Sequence, residues 1–441
     1  MEEAALNTFR TSVTGHIVTP DHAEYEVARK SFIVAGSPAV VVYAKNHQDI
    51  TATVTFAKAH TLPLSIRSGG HGFAGHSTNA GGVVLDLSNF NAVEIIDAKN
   101  HIVRVGVGAK WGDVAKQLNE DGLAISSGDT TSVGVGGLTL GGGIGWQVRK
   151  YGLTIDQLQA ADVVLADGRV VRASETEESD LFWAIRGGGG NFGVVTSFEF
   201  RAHELKQILK AMIMYPVDEA EQVLTKWAEV MRKAPEELNA TFIILPGFGP
   251  EPAPMMMIFA CCAADDEAAA RAAMQPLLEL GTLQHHEVEL VPYYRMLDEA
   301  KQQKDMRPIA QTGFVKTIDA DFINAVVASY GRPNTPIFQV RSLGGQVDRI
   351  ASDATAFAHR GYEGVIWSVL PLPADLAPAE ALEKSNESWE LMKPFVKGAY
   401  INFQTDSSKT SIDTAYPPET LTRLRAIKAV YDPEDIFKQG L

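Results

Sequence analysis

Glycine is spread very unevenly along this chain, and its placement limits what the chain can fold into. Of the 38 glycines, seven fall between Gly134 and Gly145 and five between Gly187 and Gly193. A further cluster is Gly69-Gly70-His71-Gly72. Glycine weakens the interior of an element and is used where backbone takes special angles or approaches a ligand closely. Clusters this dense point to a site lined by backbone more than by side chains. Two segments, Gly70 to Gly75 and Gly188 to Gly193, have the dinucleotide spacing G-x-G-x-x-G. That spacing binds a pyrophosphate only when a helix starts there. Here the next apolar runs, at Val83 and Val194, read as strands, which argues against a Rossmann site. No phosphate-binding G-x-x-x-x-G-K-[ST] occurs. What remains is glycine loops between strands, whose successive N–H groups form anion-binding concavities. Arg67, Ser68, Gly69, Gly70, His71 and Gly72 suit a pyrophosphate.

The 441 residues allow two or three domains. A formal charge of −15 argues against general nucleic-acid binding. No apolar stretch is long enough for a membrane helix, and the start, Met1-Glu2-Glu3, does not read as a signal peptide. The adjacent Cys261 and Cys262 exclude a disulfide framework and a thiolate metal cluster, and fit a reducing, cytoplasmic setting. His285-His286 has no ligand partners at metal spacing, so no metal is expected. No G-x-S-x-G nucleophile elbow is present.

The first half alternates strands and helices. Strands are expected at Val40–Tyr43, Leu64–Arg67, Val83–Leu87, Ile102–Val107 and Val194–Arg201, with a hairpin at 163–173. A helix capped by Asp49 runs to Ala59, and another covers Trp111–Glu120. From Lys206 glycine thins. Helical patterns at 218–233 and 264–280 alternate with strand-like runs at 240–245, 255–260, 337–340 and 364–370. This pattern predicts an antiparallel sheet flanked by helices. Tyr400-Ile401-Asn402-Phe403 reads as a strand and 420–430 as a helix.

Several motifs together resemble the berberine-bridge-enzyme-like flavoproteins of the vanillyl-alcohol-oxidase class. Pro63 to His71 resembles their flavin-attachment loop. Val133-Gly134-Val135-Gly136-Gly137, followed by Gly141 to Gly145, resembles their second loop. Asp180 to Thr196, containing Arg186 to Gly193, resembles their third. Tyr400 to Phe403 and Tyr431-Asp432-Pro433 match their C-terminal end. In length and in its attachment loop the chain is similar to bacterial members. The resemblance implies an α+β fold. A two-subdomain PCMH-type FAD-binding domain would span 35–205, a substrate domain with a helix-flanked antiparallel sheet 206–395, and a segment returning to the FAD domain 396–441.

It also implies FAD, held by one covalent bond from His71 to the flavin 8-methyl group. Many relatives carry a cysteine at the position of Thr130, making a second bond that threonine cannot make. The remaining cofactor-binding residues implied are Arg67, Ser68, Gly69, Gly70, Gly72, Val133, Gly134, Gly136, Gly137, Gly141, Gly142, Gly143, Gly190, Gly193, Val195 and Asn402. Valine at 133 goes with dioxygen access in the family. The reaction expected is hydride transfer from a small alcohol, sugar or amine to flavin, with dioxygen as acceptor and hydrogen peroxide as product. A dehydrogenase with another acceptor and a non-catalytic flavin-binding protein are the alternatives.

A proton acceptor is also needed. Tyr400 matches the family tyrosine and, on a strand, shares a face with Asn402. As a base it needs a nearby positive charge or the anionic reduced-flavin locus, because free tyrosine titrates at ~10. Gln339 and Arg341 alternate onto one strand face, expected to look into the pocket, where Arg341 either assists Tyr400 or binds an acidic substrate. His359-Arg360 reads either as a catalytic pair or, more commonly for such a step, as a structural one. Phe73 stands where many plant relatives carry tyrosine.

Overall fold

The computed structural model describes residues 3–247, 254–300, 306–330 and 335–441. The fold is α+β, with a four-stranded sheet, a five-stranded sheet and a two-stranded pairing of Leu123–Ala124 with His203–Glu204 in the first half, and one large antiparallel sheet in the second. In the first sheet the strands are ordered His16–Val18, Val40–Tyr43, Val83–Asp86, Leu64–Arg67. The last three run parallel, with Ile66 beside Leu85 and Arg67 beside Asp86. The apolar runs of Val40–Tyr43 and Val83–Asp86 are those of strands buried on both faces. The helix linking the first two parallel strands in sequence spans His47–Ala59. Its cap is Asn46, whose side chain accepts from the Asp49 N–H. Asp49, the expected cap, instead accepts from the Thr14 and Lys45 backbone N–H groups, tying the N-terminal segment to the helix start.

The second sheet is antiparallel: Val93–Asp97, Ile102–Gly106, Val194–Arg201, Leu158–Val164, Val170–Ser174. The last two form the hairpin expected around Asp167-Gly168. The third sheet has eight strands. From one edge they are His285–Pro292, Gln207–Tyr215, Met255–Cys262, Leu238–Leu245, Ile337–Ser342, Gly364–Pro373, Met306–Val315 and Val396–Lys397.

Strict alternation divides that large sheet. Phe242, Ile244, Ile258, Phe338 and Val340 pack into a core with Val223, Leu224 and Trp227 of helix Ala220–Lys233. Their neighbours in sequence, Ile243, Met257, Phe259, Gln339 and Arg341, face a cavity on the other side. Side chains on a strand point alternately to opposite faces, so one sequence builds both a core and a cavity wall.

Two expectations are corrected. The 264–280 helix is shorter: helix Glu267–Met274 continues only as a 3₁₀ turn, Gln275–Leu278, around Pro276. Tyr400 to Phe403 is not a strand but a 3₁₀ turn over Ile401–Phe403, preceded by Tyr400. A six-residue helix, Val135–Leu140, also interrupts the second glycine run. No helix among the described residues is long and apolar enough to cross a membrane.

Candidate active site

A cavity of about 610 Å³ lies between the glycine loops and the open face of the eight-stranded sheet. Strand Leu64–Arg67 delivers the first loop to it. Ile66 lines the cavity, so Arg67, one residue on, points the opposite way. Its guanidinium pairs with buried Asp86 at 2.6 Å and donates to the Ala28 and Lys30 carbonyls at 2.8 and 3.0 Å. Arg67 therefore fixes the base of the loop and does not reach the cofactor space, which corrects its expected role.

Ser68 Oγ donates to the Val107 carbonyl at 2.7 Å and accepts from the Gly136 N–H at 3.2 Å, joining the first loop to the second. Gly69 and Gly134 face each other so closely that a Cβ on either would collide with the backbone of the other. Gly70 and Gly72 line the cavity beside them. His71 also lines it, with its ring stacked on Phe32 at 4.1 Å and 14°. Burial, and then the charge of Lys110, hold the His71 pKa down at about 4. Its imidazole is therefore neutral near pH 7.

From the second loop, Thr130, Val133, Gly134, Gly136 and Gly137 line the cavity. Thr130 Oγ1 donates to Asp129 at 2.8 Å. Gly141, Gly142 and Gly143 do not line it. They sit behind, against the side chains of Asn402, Phe357 and Thr154, where a Cβ would clash. They are packing glycines, and their expected cofactor contact is corrected. From the third loop, Gly190, Gly193 and Val195 line the cavity. The C-terminal segment closes over this loop: Gly190 N–H donates to Gln439 Oε1 at 3.0 Å, and Lys428 Nζ donates to the Asn191 carbonyl at 3.0 Å while pairing with buried Asp432 at 2.6 Å.

Tyr400 and Asn402 both border the cavity. They meet through the turn, not along a strand. The Tyr400 hydroxyl oxygen lies 3.0, 3.3 and 3.0 Å from three N–H donors, Gly143 N, Ile144 N and Asn402 Nδ2. Burial raises its pKa above that of free tyrosine, and these hydrogen bonds offset the rise only in part. Asn402 Nδ2 also donates to the Leu138 carbonyl at 3.0 Å.

His359 does not line the cavity, which corrects its place among catalytic candidates. It stacks on Phe314 at 4.3 Å, packs against Gly398 and donates from Nε2 to the Ala415 carbonyl at 2.6 Å. Burial holds its pKa at about 4. Arg360 forms a buried ion pair with Asp156 at 2.8 Å. The His359-Arg360 step is structural.

Gln339 and Arg341 do face the cavity. Arg341 pairs with Asp129 from the second loop and donates to Gln339 Oε1 at 3.0 Å. Burial alone would raise the Asp129 pKa, but the Arg341 charge and the hydrogen bonds from Thr130 and Arg341 outweigh it and keep the carboxyl below its usual range. Asp129, Trp367 and Phe403 are site residues that sequence reasoning did not single out. Asp129 stands beside Thr130 and Phe403 closes the C-terminal motif, so both were within reach. Trp367 lay inside the expected strand at 364–370 with nothing to mark it.

The residues fit FAD. A Cβ on cavity-lining Gly72 or Gly137 would meet nothing within 4 Å, so backbone there faces open space. The buried Ser77 Oγ on the same wall has no partner among the described residues. Residues 38–174 match the FAD binding domain family. The chain is 30% identical to berberine bridge enzyme-like 6 of Arabidopsis thaliana, covering 90% of this chain and 79% of that one. Its fold superposes on 6-hydroxy-D-nicotine oxidase of Arthrobacter nicotinovorans with a TM-score of 0.87 and 25% identity, covering 97% of both chains. It also superposes on glucooligosaccharide oxidase of Acremonium strictum, described as carrying a 6-S-cysteinyl, 8α-N1-histidyl FAD. There the TM-score is 0.83 and the identity 24%, over 99% of this chain and 98% of that one.

Proposed function

This chain belongs to the berberine-bridge-enzyme-like FAD-linked oxidoreductases, and we propose that it is an oxidase holding its flavin covalently through His71 alone. Bound FAD would supply the two-electron acceptor for a C–H bond of a small alcohol, sugar or amine and pass the pair to dioxygen, giving hydrogen peroxide. The observation that carries the reading is His71: a neutral ring on the cavity wall, stacked on Phe32 and set among glycines. A neutral imidazole keeps the lone pair that bond formation needs. Thr130 has a hydroxyl already engaged with Asp129, so one bond is expected and not two. Val133 on the cavity wall supports dioxygen as the acceptor.

The chain's own residues divide the remaining work. The loops at 68–72, 134–137 and 189–193 would cradle the cofactor with backbone N–H groups. We assign residues 35–205 and 396–441 to this half and 206–395 to the substrate half. Tyr400 acts as a positioning residue. Its hydroxyl ties the turn at Gly143-Ile144 to Asn402, and a phenol with a raised pKa is a poor proton acceptor. Arg341 is matched by ionised Asp129, so the pocket offers little net attraction to an acidic substrate. Cys261 and Cys262 are free and buried, in keeping with a reducing compartment.

The test is to bleach the yellow protein with candidate substrates without air, then admit air. Return of colour with one peroxide per turnover is expected. Bleaching that persists in air would make it a dehydrogenase, and no bleaching by any alcohol, sugar or amine would leave a flavin-binding protein.

A further inference from the structure

The sheet face opposite the glycine loops identifies what the pocket is built to hold. Its positions on the strands Leu238–Leu245 and Met255–Cys262 are Ile243, Leu245, Met257 and Phe259, with only Thr241 polar. Against Trp367 of the strand Gly364–Pro373 an aromatic corner forms from Phe403 of the C-terminal turn and Phe73 of the first loop. Trp367 stacks on Phe403 at 4.7 Å and 22°, and Phe73 meets Trp367 edge-on at 5.5 Å. Phe403 is in turn braced by Tyr400 at 4.8 Å and 83°.

Among the described residues, the polar groups on this sheet face are Thr241, Gln339 and Arg341, and the last two are already engaged. The Arg341 guanidinium lies 5.1 Å from the Phe403 ring centre and 5.7 Å from that of Trp367, paired with Asp129. Its hydrogen bond uses Gln339 Oε1, because arginine only donates. That leaves the Gln339 amide N–H₂ as a donor bordering the cavity.

Each hydroxyl of a sugar ring needs a partner when it leaves water, and aliphatic side chains supply none. The cofactor would occupy part of the same cavity. A free carboxylate would have to compete with Asp129 for Arg341.

We infer that the substrate is a neutral, compact ring compound, aromatic or alicyclic, that presents one hydrogen-bond acceptor to Gln339. It is neither an oligosaccharide nor a free acid. The ring packs against Trp367 and Phe403, and aromatic faces favour such offset or edge contacts. The inference rests on the cavity being the substrate site of the oxidase proposed above, and it narrows that reading from three substrate classes to one shape.

The test uses the flavin-loaded protein and reads binding separately from turnover. Tryptophan fluorescence and the flavin absorption band are followed while 4-hydroxybenzyl alcohol, cyclohexylmethanol, cellobiose or 4-hydroxybenzoate is added. Both alcohols should bind at least ~100-fold more tightly than cellobiose, the discrimination expected when an apolar site must bury unmatched hydroxyls. The benzoate should bind at least ~10-fold more weakly than 4-hydroxybenzyl alcohol. Gln339→Leu should weaken 4-hydroxybenzyl alcohol about 10-fold, the usual effect of one lost hydrogen bond, while leaving toluene unchanged. Cellobiose binding as tightly as the alcohols, or no spectral response to either alcohol, would overturn the inference. The oxidase reading fails on a different observation, bleached flavin that does not recolour in air, whichever probe binds.

Discussion

Gly137 and Gly69 both belong to the cofactor loops, yet substituting them acts on different quantities. Gly137 lies inside helix Val135–Leu140 with open cavity where its Cβ would be. Gly137→Ala should raise helix stability by about 1 kcal/mol while filling space meant for the cofactor. The apoprotein should melt no lower than wild type, and the purified protein should carry less flavin. Gly69→Ala instead drives a methyl into the backbone of Gly134. It should destabilise the apoprotein itself by ~1–3 kcal/mol or more, because two backbones cannot move apart as a side chain can. Tyr400→Phe leaves the Gly143 and Ile144 N–H groups unmatched and should cost ~1–3 kcal/mol in thermal stability. As a positioning residue it should change anaerobic bleaching less than about 10-fold. A loss of ~10² or more with unaltered melting would make it the proton acceptor.

At the scale of elements, the strands set the site by alternation. Leu64–Arg67 sends Ile66 to the cavity and Arg67 to Asp86. Arg67→Ala removes one partner of a buried pair and should cost about 3–5 kcal/mol, seen as a lower melting temperature of the apoprotein. Were Arg67 a cofactor ligand, flavin content would fall with apoprotein stability intact. The same alternation explains why strands were readable in the sequence: runs such as Val103-Arg104-Val105 and Val83-Val84-Leu85 carry their own period or burial signal. Gln339 and Arg341 came from it correctly. The short turns were not readable. Ile401-Asn402-Phe403 alternates apolar and polar as a strand does, but it turns, and Asn402 then reaches Tyr400 two residues back and Leu138 264 residues back in the sequence. Nor does a glycine state its purpose. Gly137 opens onto the cavity and Gly143 packs on Thr154, and only the fold separates them.

At the scale of the whole molecule, stability depends on histidines buried away from the cavity. His359 and His203 both hold pKa values of about 4, burial being the main cause in each. Unfolded, they would titrate near 6.5. Between those values the unfolded chain binds more protons than the folded one, so stability falls as pH drops from about 6.5 towards 4. Each contributes up to ~3 kcal/mol across that window. Denaturant midpoints should therefore decline over it, and His359→Gln should flatten the decline; an unchanged slope would contradict the buried neutral state of His359.

The C-terminal segment closes the third glycine loop through Lys428 and Gln439, while the eight-stranded sheet supplies the opposite wall. What joins these parts into one active site is the cofactor, and its attachment is the central claim. The direct measurement is to precipitate the holoprotein in acid, digest the pellet and weigh the flavin-bearing peptides. The account predicts a yellow pellet and a single FAD-modified peptide containing His71, with the peptide containing Thr130 unmodified. A colourless pellet, or flavin attached at any residue other than His71, would contradict it.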